Sequence, residues 1–145
     1  MKFDISNASI GYNDPVDSIQ VVGSPQFKKT VRDCLNLIRK TEFESKVARI
    51  NTIQEAETFE ETGMGSDGVF TVALSVLRGG TWGAGQIVHD AEHYYRMQTG
   101  QYLGLCRDEE MEAFKPQIAF LLSKGDLLNA AAVASMNGSH VDSRM

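Results

Sequence analysis

The spacing of apolar residues predicts two long helices in the first hundred residues. Apolar side chains recur at three- and four-residue steps across residues 26–41, which is typical of an amphipathic helix. Ser24 and Pro25 mark its start, because serine caps free amides and proline fits the first turn. The same periodicity predicts a second helix over residues 83–99, ended by Gly100.

Two further helices are predicted towards the end of the chain. Asp108 can cap a helix over residues 109–124. Pro116 falls inside that span, and since proline removes one backbone hydrogen bond we expect the helix to kink or split there. A shorter helix is expected over residues 127–136.

Two apolar runs between the helices predict strands. Residues 47–53 alternate apolar and polar side chains, as a half-buried strand does. Residues 69–77 are rich in β-branched and apolar side chains and are stopped by a pair of glycines. The acidic, glycine-containing stretch 54–67 between them is predicted to be a loop with at most one helical turn.

The order of these elements predicts an α+β fold in one domain. Helices and strands are segregated along the chain instead of alternating, so we expect a small mixed sheet packed on helices. The predicted domain spans residues 26–136. Residues 1–25 are predicted to be irregular apart from a short strand near residues 19–22, and the polar tail 137–145 to be disordered.

Composition and charge exclude several classes of function. The 145 residues carry a net charge of −5 with no basic cluster, which argues against nucleic acid as a partner. No apolar run is long enough for a membrane span or a signal peptide, so the chain as written is predicted to be cytoplasmic, unless it belongs to a larger exported protein. The two cysteines, Cys34 and Cys106, lack the spacing of thiolate zinc ligands.

His89 and His93 are the candidates for a metal site. They lie four residues apart on a predicted helix, and positions four apart share one helix face. Two imidazoles placed in this way can bind one zinc ion, which needs at least three protein ligands in a catalytic site. The alternative is a pair of solvated surface histidines in a metal-free structural domain.

Two carboxylates flank the histidine pair as candidate general bases. Asp90 and Glu92 each lie about 80° from the midpoint of the two histidines, on opposite sides of it. Either can therefore take a proton from an attacking water, and geometry alone does not choose between them.

A third metal ligand is predicted on the following helix. Glu110 shares one face with Ala113, Phe114 and Gln117, and the small alanine allows close approach to the histidine helix. Glu112 points away and is expected to face solvent. The alternative is that these acids only complement the helix dipole.

The block IVHDAEHYYRMQTGQ, followed by EEMEAFKPQ, resembles the zincin superfamily of metallopeptidases. It is most similar to the small zincin-like domains of polymorphic bacterial toxins and secreted effectors, which share an H-[ED]-x-x-H helix and a second helix reading E-x-x-A-[FY]-x-x-Q. The resemblance covers roughly residues 26–124 and is sharp over residues 86–117.

The resemblance implies a zincin-like fold with His89, His93 and Glu110 as zinc ligands. It places the general base at Asp90, where the family usually has the longer glutamate. The same residues also match the inverted order H-x-x-E-H, in which Glu92 would be the base. Asp90 is preferred because the second helix fits the toxin-type zincins.

The expected function is that of a zinc-dependent hydrolase, a peptidase acting as a bacterial effector or toxin domain. Its partners would be a protein or peptide substrate and an inhibitor or immunity protein, with neither nucleic acid nor membrane. The alternative is a zincin-fold binding or regulatory module in which catalysis is weak or lost, because Asp90 is too short.

Overall fold

A computed structural model describes residues 14–136, so the predictions for residues 1–13 and for the tail 137–145 lie outside the described residues. Within the described part, four strands and six helices form a mixed α+β fold, which confirms the predicted class. None of these helices is both long and apolar enough to cross a membrane. In chain order the elements are β1 (Gln20–Val22), α1 (Pro25–Ile38), α2 (Glu44–Val47), β2 (Thr52–Glu55), β3 (Gly63–Met64), β4 (Val69–Val72), α3 (Leu74–Leu77), α4 (Gly80–Gln98), α5 (Arg107–Ser123) and α6 (Leu127–Ala134).

The four strands form one sheet in the order β1-β2-β4-β3. β1, β2 and β4 run parallel, and Ile53 in the middle of β2 pairs with Val21 on one side and Phe70 on the other. The short strand β3 runs antiparallel to β4 and forms one edge of the sheet. This edge strand lies in the stretch 54–67, which the sequence predicted to be a loop.

Helix α1 forms where its apolar spacing predicts it. The Ser24 hydroxyl accepts a hydrogen bond from the Phe27 amide at 3.2 Å, so the predicted cap is present. The apolar face, from Phe27 to Ile38, is fully buried. The helix ends three residues before the predicted boundary at 41, and Lys40 then takes a φ of +63° as the chain turns.

Both predicted strands are shorter in the structure than in the sequence analysis. Val47 ends the short helix α2 instead of starting a strand, and the strand begins only at Thr52. Val47, Ile50 and Ile53 are all buried. Their three-residue spacing fits a helical turn, and the alternation of apolar and polar residues fits a strand, so the local pattern does not choose between the two. In the same way β4 stops at Val72, and residues 74–77 form the helical turn α3.

The core extends beyond the predicted domain boundary at residue 26. Val16, within a turn of 3₁₀ helix at Pro15–Ser18, and Ile19, directly after it, are fully buried. The Glu44 carboxylate accepts hydrogen bonds from the Val16 and Lys40 amides and so ties this segment to the chain between α1 and α2. The described part of the domain therefore begins well ahead of α1.

Helices α4 and α5 pack against each other, and the predicted metal ligands lie on them. α4 ends before Gly100, which takes a φ of +76° as expected for the residue after a helix. α5 begins at Arg107 with Cys106 at its cap position, so the prediction of Asp108 as the cap was wrong. Asp108 lies in the first turn, where the helix dipole favours an acid. α5 is also one helix across Pro116 and is not split there.

Close packing at the start of α4 gives a stability prediction. A Cβ at Gly83 would lie 2.8 Å from Cys34 Sγ and 2.9 Å from the Leu77 carbonyl oxygen, whereas at Gly85 the nearest atom would be 3.4 Å away. We expect Gly83→Ala to destabilise the fold by about 1–3 kcal/mol because the neighbours must move. Gly85→Ala is the matched control, since it gains the same helix propensity without the clash.

Urea unfolding followed by circular dichroism measures both free energies of unfolding. Equal stability of the Gly83→Ala and Gly85→Ala proteins would contradict the tight contact between α4, α1 and α3.

Candidate metal centre

Three predicted side chains meet between α4 and α5. His89 and His93 lie one turn apart on α4, and Glu110 lies in the first turn of α5. The two Nε2 atoms are 3.2 Å apart, and His93 Nε2 is 3.4 Å from Glu110 Oε1. The same carboxylate oxygen contacts His89 Nε2, and one ligand atom from each residue lies within 4.8 Å of the others. The structure therefore brings the three predicted ligands together.

Two of the three spacings between these atoms match those of ligands around a small tetrahedral cation, whereas His89 Nε2 and Glu110 Oε1 are closer than that, in direct hydrogen-bond contact. Zinc–nitrogen bonds of about 2.0–2.1 Å place neighbouring tetrahedral ligands about 3.3 Å apart. The Nε2–Nε2 distance of 3.2 Å and the Nε2–Oε1 distance of 3.4 Å are both close to that edge length. Two imidazoles and one carboxylate are also the ligand set of many zinc hydrolases.

The far side of each imidazole ring is held by an acceptor on α5. His89 Nδ1 donates to Gln117 Oε1 at 2.8 Å, and His93 Nδ1 donates to Glu109 Oε2 at 2.9 Å. A carboxylate can only accept, so the proton on His93 Nδ1 is fixed. Both rings are thereby oriented with Nε2 towards Glu110, which is how outer partners orient metal-binding histidines.

Glu109 is buried and has several partners besides His93. Arg96 Nε donates to its carboxylate at 3.0 Å, and the Leu103 amide donates to the same oxygen, also at 3.0 Å. Arg96 in turn donates to the Gln101 carbonyl at 3.0 Å. This network joins the end of α4, the connecting loop and the start of α5, so it fixes the loop beside His93.

The charges of the triad stabilise one another. Burial disfavours the charged His93 ring, but the hydrogen bond to Glu110, the charge of Asp90 and the hydrogen bond to Glu109 outweigh it and raise the pKa of His93 to about 9. Burial also acts to raise the pKa of Glu110, but hydrogen bonds from His89 and His93 outweigh it and hold that pKa well below its usual value. With these shifts in pKa the Glu110 carboxylate faces a protonated His93 ring, and a zinc ion bound there would displace that proton.

The two candidate bases lie in different surroundings. Asp90 lines the same cavity as the triad, and no hydrogen-bond donor among the described residues holds its carboxylate. Burial raises the pKa of Asp90, while the charges of His89 and His93 oppose that rise. Glu92 forms an ion pair with Lys46 at 2.8 Å and lines a separate cavity between α2, α4 and α5.

Two cavities open beside the triad and extend towards opposite ends of α4, since Trp82 lines one of them and His93 and Met97 line the other. The larger one, of about 430 Å³, is lined by all three triad residues and Asp90, and reaches β3 at Met64. The smaller one, of about 310 Å³, lies towards Phe114 and Trp82. Gln86, His89 and Glu110 line both cavities, so these three residues stand at the junction.

The cysteines take no part in this cluster. Cys34 is fully buried between α1 and α4, and burial raises the pKa of its thiol to about 12. Cys106 donates a weak hydrogen bond to the Leu103 carbonyl at 3.7 Å. Neither belongs to the metal-competent group found among the described residues.

Sequence reasoning missed Glu109 and the contact between Gln117 and His89. Gln117 was placed on the correct face of α5 but had no role, and Glu109 was passed over because Glu110 matched the motif. A general rule could have pointed to both residues, because a metal-binding histidine usually donates its other ring N–H to an acceptor. Which of the two adjacent glutamates faces which ring depends on the rotation of α5 about its axis, which the sequence does not specify.

Comparisons of this chain with protein-family models, curated proteins and solved structures found no match.

Proposed function

We propose that this domain is a zinc-dependent peptidase of the zincin type. The observation that carries the proposal is the convergence of His89 Nε2, His93 Nε2 and Glu110 Oε1, with each ring oriented from behind by Gln117 or Glu109. A cluster of solvated histidines does not need such partners. The resemblance to toxin-type zincins extends the proposal to a role as an effector domain.

In this proposal each residue of the site has a defined task. His89, His93 and Glu110 hold zinc, which supplies a Lewis acid that polarises a carbonyl and lowers the pKa of water towards about 7. Asp90 takes a proton from the attacking water and passes it to the leaving amine. Its carboxylate is free of other donors and faces the cavity that the triad lines. Glu92, in contrast, is paired with Lys46.

Metal removal tests the proposed reaction. We expect the purified protein to cleave unfolded casein or a mixed peptide library when loaded with one equivalent of zinc. A chelator should abolish this cleavage, and added zinc should restore it, because three side chains of the site hold the ion. Mass spectrometry of the products identifies the bonds broken. Full zinc occupancy without cleavage of any protein or peptide would favour a binding module over an enzyme.

Gln117 provides a separate test of how the histidines are oriented. We expect Gln117→Leu to weaken zinc binding by about 10–100-fold, because His89 loses the acceptor that fixes its tautomer. Gln117→Glu keeps an acceptor oxygen and should retain most of the affinity. Competition with a chromogenic chelator measures the dissociation constants.

Lys115→Gln is the control for Gln117, since Lys115 is exposed on the same helix and its ion pair within residues 14–136 is with Glu112. It should bind zinc as the parent protein does. Unchanged affinity in Gln117→Leu would contradict the proposed orientation of His89.

A further inference from the structure

The triad lies between two cavities, so a bound chain has room on both sides of it. The larger cavity and the smaller one share Gln86, His89 and Glu110 as lining residues. A site that acts on one end of a chain is closed on one side of the reacting bond. Here cavity volume continues in both directions from the residues proposed to hold zinc.

The larger cavity has polar walls at the triad and also apolar residues that an apolar side chain can contact. Six apolar residues line it, and two of these, Phe59 and Leu105, are 68% and 51% exposed. They come from separate segments of the chain, one before β3 and one before α5. Exposed apolar surface that lines a cavity next to reactive groups is typical of a binding site. The six are Phe59, Met64, Val76, Met97, Tyr102 and Leu105.

Two side chains that line the smaller cavity have N–H groups with no hydrogen-bond acceptor among the described residues. Trp82 Nε1 is the single buried side-chain nitrogen or oxygen among the described residues that has no partner. The Gln86 carboxamide likewise has no hydrogen-bond partner within residues 14–136. Buried donors in folded proteins are nearly always paired, so the buried N–H of Trp82, a residue that lines the cavity, points to an acceptor that binds there, while the half-buried Gln86 carboxamide can bind either water or a ligand. The carbonyl oxygens of a peptide backbone are acceptors of this kind.

The charges around the cavities argue against recognition of a chain end. Among the described residues, no lysine or arginine lines either cavity, so a free carboxylate has no cation to pair with. Asp90 and Glu110 are the acidic residues that line them, and both already have tasks in the proposed mechanism. No further carboxylate among the lining residues is therefore available to pair with the free amino group of a bound chain end.

We propose that the substrate is an internal, extended stretch of polypeptide with a bulky apolar side chain in the larger cavity. The backbone on the other side of the reacting bond would accept hydrogen bonds from Trp82 and Gln86. This inference rests on the proposed peptidase function and makes the domain an endopeptidase. Hydrolysis breaks the peptide C–N bond, adds the hydroxyl of water to the carbonyl carbon and its proton to the leaving nitrogen, and needs no further reactant.

The test uses zinc-loaded protein and internally quenched peptides with acetylated and amidated ends, long enough to span both cavities. The residue on each side of the central bond is varied among Leu, Phe, Gly, Asp and Lys. We expect kcat/KM to be at least about tenfold higher with Leu or Phe than with Gly at one of these positions, as for other apolar pockets. Single amino-acid amides and free-ended dipeptides should be poor substrates.

Three variants separate the two cavities. Phe59→Ala should raise KM for the Leu and Phe peptides and leave zinc affinity unchanged. Trp82→Phe keeps an aromatic ring to pack on Arg78 but loses the indole N–H, and should lower kcat/KM about two- to tenfold while the protein stays folded in thermal scans. Leu128→Ala is the control, because Leu128 is 83% exposed on α6 and lines neither cavity.

The other possible outcomes would contradict either the endopeptidase inference alone or the peptidase proposal as well. The inference would be overturned, and the peptidase proposal left standing, if residues were removed only from free chain ends. The same holds if the central bond were cleaved equally fast whichever residues flank it. Full zinc occupancy with no cleavage of any peptide, blocked or free, would overturn the peptidase proposal and the inference with it.

Discussion

Asp90→Asn is expected to lower peptide hydrolysis by about 10²–10⁴-fold, the usual contribution of a general base. The substitution keeps the size of the side chain and removes only its ability to take a proton. Zinc content and thermal stability should stay close to those of the parent protein, because no described donor depends on the Asp90 carboxylate. Steady-state kinetics and elemental analysis of the same preparation measure both effects.

Glu92→Gln is the matched control for Asp90. Glu92 lies two residues away on α4, but it pairs with Lys46 and lines a different cavity. We expect its loss to leave kcat unchanged. A large loss of activity in Glu92→Gln with little effect in Asp90→Asn would show that the inverted motif is the correct interpretation. Loss of zinc from Asp90→Asn would instead make Asp90 a ligand.

Glu110→Ala is expected to weaken zinc binding by more than the roughly 10–100-fold cost of losing an outer partner. The variant removes the carboxylate that His89 and His93 both contact, and leaves only two protein ligands. The rise in melting temperature on adding zinc should shrink accordingly, since a ligand stabilises the folded state in proportion to its binding. Calorimetric titration and thermal scans measure the two effects.

Glu112→Ala controls for the loss of one acidic charge from α5. Glu112 lies two residues further along the helix and pairs with Lys115 at 2.9 Å. Its removal should leave zinc affinity unchanged. If Glu110→Ala and Glu112→Ala weakened binding equally, Glu110 would act only through its charge and not as a ligand.

The fold could be predicted where one periodicity extends over a long segment. α1 and α4 have apolar faces of several turns, with a predicted cap before the first and Gly100 after the second, and both helices form within a few residues of the predicted bounds. Short apolar runs were ambiguous because four to eight residues fit a strand and a helical turn equally well. Residues 69–77 contain strand β4 and the helical turn α3 for this reason, and residues 47–53 run from the last residue of α2 into the first two residues of β2. The two-residue strand β3 exists only because β4 lies beside it, so no local pattern predicts it.

The sequence predicted which three side chains meet, but not how their neighbours are arranged around them. Four-residue spacing places His89 and His93 on one face of any helix, and the face shared by Glu110, Ala113 and Gln117 follows from the same rule. The contact between those faces depends on how α4 and α5 pack. That packing separates Asp90 from Glu92 and gives Glu109 its place behind His93, neither of which the sequence could decide.

The central claim is that His89, His93 and Glu110 bind zinc, and zinc-edge X-ray absorption tests it most directly. The sample is the full chain loaded with one equivalent of zinc. We expect two imidazole nitrogens and further oxygen ligands at about 2.0–2.1 Å, with no sulfur. His93→Ala should lose one imidazole contribution. Failure to retain one equivalent of zinc, or a sulfur ligand at about 2.3 Å, would contradict the assignment.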